Sequence, residues 1–85
     1  MKLDIHYFAS IREQIGIEGQ QLELTGNNNN VADLIISLTQ VDARFSVMIE
    51  ATPSILVAVN QTVVDRSYTL SDGDEVAFFP PMTGG

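Results

Sequence analysis

The chain has 85 residues, 45% of them apolar, and carries eleven acids against four Lys and Arg residues, for a net charge of −7. That charge argues against a nucleic-acid surface, which needs a basic patch, and favours solubility and a basic protein partner. With no cysteine, no apolar run near the roughly 18 residues of a membrane span, and no basic-then-apolar leader, neither disulfides, a membrane nor secretion is expected, and a cytoplasmic setting fits.

At the start of the chain, Leu3, Ile5 and Tyr7 alternate with Lys2, Asp4, His6 and Phe8, which is strand periodicity. Ser10 followed by Glu13 reads as a capping box, predicting a short helix to about Gln14 that Gly16 ends. Gln21 to Leu24 alternates again and predicts a second strand paired with the first. Gly26 and the run Asn27 to Asn30 read as a surface loop, not a site.

Val31, Leu34, Ile35 and Leu38 fall at helical spacing, with Asn30 as N-cap and Asp33 in the first turn. Val41, Phe45, Met48 and Ile49 continue that stripe. Asp42 is placed to start a second helix, so a break is expected near Gln40–Asp42. Pro53 closes the helical region.

Ile55 to Val59 reads as a strand that is apolar on both faces. Asn60-Gln61 is a tight turn into a short strand at Thr62–Val64. Arg66 to Leu70 is irregular, Ser71 to Asp74 is a turn, and Glu75 to Phe79 is a last strand stopped by Pro80. About five strands and one main helix predict an α+β domain over residues 1–81, a sheet covered on one face. A flexible tail, residues 82–85, follows. The first and last strands are expected to pair in parallel.

In that arrangement Val76 and Phe78 face the helix with Leu3, Ile5, Val57 and Val59. Ala77, Phe79, Leu56 and Ala58 then share the other face, which in such sheets is normally polar. Grouped apolar side chains there predict a docking surface for a partner. Asp65, Asp72, Asp74 and Glu75 form an acidic set suited to steering a basic partner, although Asp72 also suits a turn cap.

The rest of the chemistry points to the terminus. Gly84-Gly85 has no β-carbons, so it passes through a slot closed to other residues and leaves the carboxylate bare. Pro80-Pro81 stiffens its departure. Met82, Thr83, Gly84 and Gly85 reach at most about 13 Å at roughly 3.3 Å each. His6 reads as an exposed strand residue without metal partners, and Ser10 as a cap, not a nucleophile. No metal site is expected.

Ala58-Val59-Asn60-Gln61-Thr62-Val63-Val64, the run from Leu70-Ser71-Asp72-Gly73-Asp74-Glu75-Val76 through Phe78-Phe79-Pro80-Pro81-Met82-Thr83-Gly84-Gly85, and Tyr7-Phe8-Ala9-Ser10-Ile11-Arg12-Glu13 resemble the small subunits of molybdopterin synthase. These are sulfur-carrier proteins of the ubiquitin-like family. The resemblance spans nearly the whole chain. It departs at residues 26–30 and across Thr39 to Ala51, and Met82 stands where related chains often carry Val or another apolar residue.

The resemblance implies a ubiquitin-like β-grasp fold and a carrier with no catalytic side chain of its own. An activating enzyme would adenylate Gly85 with ATP, and no cofactor would stay bound to the carrier. Sulfur would replace AMP to give a thiocarboxylate. The large synthase subunit would use that sulfur to build the molybdopterin dithiolene, in a heterotetramer. Other readings are a carrier for a thiamine-thiazole type pathway, a ubiquitin-like interaction module that is never activated, and conjugation to lysines.

Overall fold

The computed structural model of the chain describes residues 1–26 and 29–81. The first strand, β1 (Lys2–Tyr7), leads into helix α1 (Ala9–Ile15) and strand β2 (Gly19–Glu23). Helices α2 (Val31–Val41) and α3 (Ala43–Ala51) follow, then strands β3 (Leu56–Val59), β4 (Thr62–Val64) and β5 (Glu75–Phe79). The strands form one mixed sheet in the order β2-β1-β5-β3-β4. Strands β1 and β5 are parallel at its centre, and the other pairings are antiparallel. With helices against one face, this is the α+β, ubiquitin-like β-grasp architecture expected from the sequence.

Strand alternation builds the core. Leu3, Ile5, Tyr7, Val57, Val59, Val76 and Phe78 are buried beneath Ile11, Leu34, Leu38, Phe45 and Met48 of the helices. Phe45 meets Phe78 edge-on with ring centroids 5.3 Å apart, and Tyr7 stacks beside Phe78 at 6.1 Å. Such aromatic pairs add to the area they bury. The Tyr7 hydroxyl accepts a hydrogen bond from Gln20 Nε2 at 2.8 Å. Burial nonetheless pushes the Tyr7 hydroxyl above its usual pKa, against the smaller opposing effect of that bond.

The helix ends are set locally. Asn30 accepts the Asp33 amide at 2.9 Å while the Asp33 carboxylate accepts the Asn30 amide at 3.0 Å, a reciprocal cap that opens α2. Asp42 separates α2 from α3 and accepts the Arg44 amide at 2.9 Å. The helix restarts at that point, so the single stripe expected through Val41 is broken, and Val41 is 66% exposed. Phe45 and Met48 recover the buried position from the second helix, and Ile49 packs partly against the core.

The Ser10 cap does not form. Helix α1 begins earlier, at Ala9, and its N-cap is Phe8, which makes no side-chain cap hydrogen bond. The Phe8 amide still bonds to the Phe78 carbonyl at 3.0 Å, so the sheet ladder carries the chain directly into the helix and leaves no cap position for Ser10. At the other end Gly16 adopts the left-handed conformation, as expected, with φ 89°. Strand β2 starts before the expected Gln21, at Gly19, where a β-carbon would collide with the Ile5 carbonyl.

Candidate functional site

Strand β5 carries the chain to the candidate site. It lies between β1 and β3 with ladders on both sides, so the point of exit is fixed from both flanks. Phe79 ends the strand, and Pro80 and Pro81 continue it half-buried. The proline ring fixes φ and supplies no N–H, so neither residue can extend the ladder as a donor. Met82, Thr83, Gly84 and Gly85, assigned to threading and to the reactive carboxylate, lie outside the described residues.

The outer face of the sheet is built by register. Leu56 pairs with Phe79, and Ala58 with Ala77. Leu56, Ala77 and Phe79 are half-buried. Ala58 is a correction. It lies on the expected face but is 7% exposed, because its single methyl is shadowed by neighbouring strands on both sides. It shapes the floor of the surface and offers little contact area.

Two apolar residues extend this surface that the sequence reading did not assign to it. Val63 pairs with Ala58 and is 60% exposed, and Phe8 at the end of β1 is 49% exposed. Asn60 and Gln61 both have positive φ (49° and 72°), the geometry of a two-residue hairpin turn. Counting back across that turn puts Val63 opposite Ala58. Phe8 was legible as outward from its alternation with His6. What the sequence lacked was the parallel β1–β5 register that brings Phe8 beside the strand exit.

The acidic set divides. Asp74 is buried and accepts from Asn60 Nδ2 at 3.0 Å and the Ser71 amide at 2.8 Å, so it holds the turn and cannot steer a partner. Asp72 accepts the Lys2 amide at 2.6 Å, tying the turn to β1. Asp65 caps Ser67, and hydrogen bonds from the Ser67 hydroxyl and amide hold its carboxyl below the usual range. Only Glu75 stands on the outer face. His6, read from the sequence as an exposed strand residue without metal partners, is half-buried and has two carboxylates near it. Asp4 pairs with Glu75 across the parallel ladder, and ligand atoms of Asp4, His6 and Glu75 lie within 4.8 Å of one another.

The outer face thus runs from acidic at Glu75 to apolar at Phe79, where the chain leaves. On the helical side, a groove of about 340 Å³ lies between α1 and α3, lined by Gln14, Ala43, Arg44, Val47 and Met48. It is separated from the strand exit by the sheet. No helix among the described residues is long and apolar enough to cross a membrane.

Comparison with known proteins agrees with this geometry. A family model described as the ThiS family matches residues 5–85. The molybdopterin synthase sulfur carrier subunit of Escherichia coli is 37% identical over 83 residues, covering 98% of this chain and 99% of that protein. Among solved structures, SAMP1 from Haloferax volcanii superposes with a TM-score of 0.82 at 22% identity, with both chains fully covered. A chain in a complex of subunits 1 and 2 of the molybdopterin-converting factor from Helicobacter pylori superposes with a TM-score of 0.68 at 22% identity, again with both chains fully covered. At those identities the two structures speak for the fold alone.

Proposed function

This chain belongs to the ThiS family, and from that membership we propose that it is a molybdopterin synthase sulfur carrier subunit acting through Gly85. The observation that carries the reading is that the central strand β5 and Pro80-Pro81 bring the chain to the rim of an apolar outer face, with the sequence Met82-Thr83-Gly84-Gly85 to follow. A carrier requires a surface that docks and a terminal sequence with no side chains to obstruct it.

The carboxylate of Gly85 is a poor electrophile. In the proposed cycle a carboxylate oxygen attacks the α-phosphate of ATP on an activating enzyme, and pyrophosphate leaves. A sulfur donor at the sulfide level then displaces AMP to give a terminal thiocarboxylate. Its soft, anionic sulfur is the nucleophile in dithiolene formation on the large synthase subunit. This chain has no cysteine and one lysine, so the groups that stabilise developing charge belong to the partner. This chain contributes position. Docking through Phe79, Ala77, Leu56, Val63 and Phe8 holds the body, and a tail reach of at most about 13 Å takes the terminus into a pocket. The stiff prolines reduce the roughly 1–2 kcal/mol of backbone entropy lost per ordered residue. The large subunit and the activating enzyme are the proposed partners, with the synthase assembled as a heterotetramer in the cytoplasm.

Deleting Gly85 tests this directly. The truncated chain is expected to keep its thermal midpoint and its binding to the large subunit, and to lose sulfur transfer to the pterin precursor altogether. Dithiolene formation by the truncated chain would sink the mechanism. A ubiquitin-like module that is never activated would use the same face and lose nothing on truncation.

A further inference from the structure

We propose that Asn60 and Asp74 are positioning residues: their side-chain contact sets the register of β5, and through it the place where the chain leaves the sheet. Their part in sulfur delivery rests on the carrier reading above, whereas the register itself is a property of the fold.

The polar contacts gather at the end of β5 opposite to its exit. Among the described residues Asp74 is the one charged side chain that is buried. A buried carboxylate is costly unless donors surround it, and no Lys or Arg among the described residues is ion-paired with it. Its two oxygens take separate neutral donors, Oδ1 from Asn60 Nδ2 at 3.0 Å and Oδ2 from the Ser71 amide at 2.8 Å. Asn60 completes the contact from the turn between β3 and β4. Its Oδ1 accepts the Glu75 amide at 3.1 Å, and its own amide donates to the Glu75 carbonyl at 2.8 Å. Its φ of 49° is left-handed, a conformation that asparagine adopts more readily than most side chains. Strand β1 holds the same point from the other flank. The Asp4 amide donates to the Asp74 carbonyl at 3.0 Å, and the Gly73 amide to the Lys2 carbonyl at 2.8 Å.

Apolar pattern alone does not define this register. Val76, Ala77, Phe78 and Phe79 are apolar in succession, and so are Leu56 to Val59 beside them. A slip of one residue exchanges the two faces of a strand. Ala77 and Phe79 would turn inward and Phe78 outward, apolar for apolar. Ladder bonds are made by any residue and would re-form one step along. The contact between Asn60 and Asp74 would not, because it recognises a side chain at one position. Buried polar contacts of this kind can select one arrangement among apolar alternatives. The consequence appears at the other end of the strand. A strand advances about 3.3 Å per residue, so one step at Asp74 is one step at the exit. That is about a quarter of the tail's reach of about 13 Å. The same step takes Phe79 off the docking face.

Asn60→Gly is the informative variant, because glycine accepts the left-handed φ and removes both side-chain bonds. The exchanged double variant, Asn60→Asp with Asp74→Asn, can keep all three bonds with the donor moved to position 74. Asn60→Asp alone sets two carboxylates against each other. Two readouts are taken on the full chain, at a temperature where melting shows each variant folded. Cross-strand NMR contacts between Leu56 and Phe79 report the register, and single-turnover sulfur transfer on the large subunit reports delivery. Asn60→Gly is expected to show a second set of β5 signals without the Leu56–Phe79 contact, and to transfer about tenfold more slowly per folded molecule. The exchanged pair is expected to restore the single set and the parent rate. If Asn60→Gly does not fold, Asp74→Asn alone, which forfeits one bond of the three, is read for the same direction of change. A folded variant that keeps the parent contacts and the parent rate, with only its melting point lowered, would overturn the proposal. So would an exchanged pair that folds and fails to recover. If the parent chain transfers no sulfur, the carrier reading falls, and the NMR contacts still decide the register.

Discussion

Phe78 and Phe79 are neighbours in one strand and serve opposite faces of one sheet. Phe78 is fully buried, wedged between Tyr7 and Phe45. Phe79 is half-buried over Leu56, at the point where the chain leaves the sheet. The residue type is the same and the roles differ because the strand period is two. The inner face is closed by helices of the same chain and supplies stability. The outer face has no helix of the described residues against it, and it is the face proposed for docking. Small domains have little apolar surface to spare, and this uncovered apolar face is what the docking proposal rests on.

The largest effect that separates the two faces is on the inner side. Phe78→Ala removes a ring from the aromatic cluster and is expected to cost about 3–5 kcal/mol. That is a large share of the roughly 5–15 kcal/mol that holds a domain together, so a urea titration should show a population substantially unfolded in dilute buffer. Partner binding should fail with the fold. If Phe78→Ala left the denaturation midpoint unchanged, the division into faces would be wrong.

Phe79→Asp should do the reverse. Loss of an aromatic anchor and burial of a charge at a docked face are expected to weaken the complex with the large subunit by about 2 kcal/mol, roughly 30-fold in Kd. The thermal midpoint should fall by only a few degrees. Calorimetric titration together with thermal melting reads both quantities, and a variant that unfolds would place Phe79 in the core.

A smaller effect sharpens the comparison through pH. The pKa of Tyr7 is raised in the folded state by burial. The stability linked to its neutral form is therefore fully present below the ordinary tyrosine pKa and declines as pH rises through the folded value. Urea midpoints should fall above about pH 10, and Tyr7→Phe should flatten that decline. A decline of equal slope in Tyr7→Phe would remove Tyr7 as its cause.

Much of this was legible because the determining signals are local. Alternation placed Leu3, Ile5, Val76 and Phe78 on one face and Ala77 and Phe79 on the other. Asn30 and Asp33 marked the start of α2, and Asp42 marked the helix break. What failed depended on register or on competition between neighbours. Ser10 has the right spacing for a cap, yet the Phe8 amide stays in the ladder and the helix begins too early for it. Ala58 lies on the right face, but only its neighbours' heights decide whether a methyl is reached. The grouping of Asp4 and His6 with Glu75 brings together residues about 70 positions apart in sequence through a parallel ladder, and no spacing rule along one strand reveals it.

The central proposal is that the chemistry of this protein is confined to the Gly85 carboxylate and that a partner supplies the rest of the site. Intact-mass measurement after incubation with ATP, a sulfide-level sulfur source and the activating enzyme tests it most directly. The account predicts the mass gain of a single oxygen-to-sulfur exchange, located by fragmentation at Gly85 and absent from the chain lacking Gly85. An unchanged mass, or sulfur located anywhere else in the chain, would contradict it.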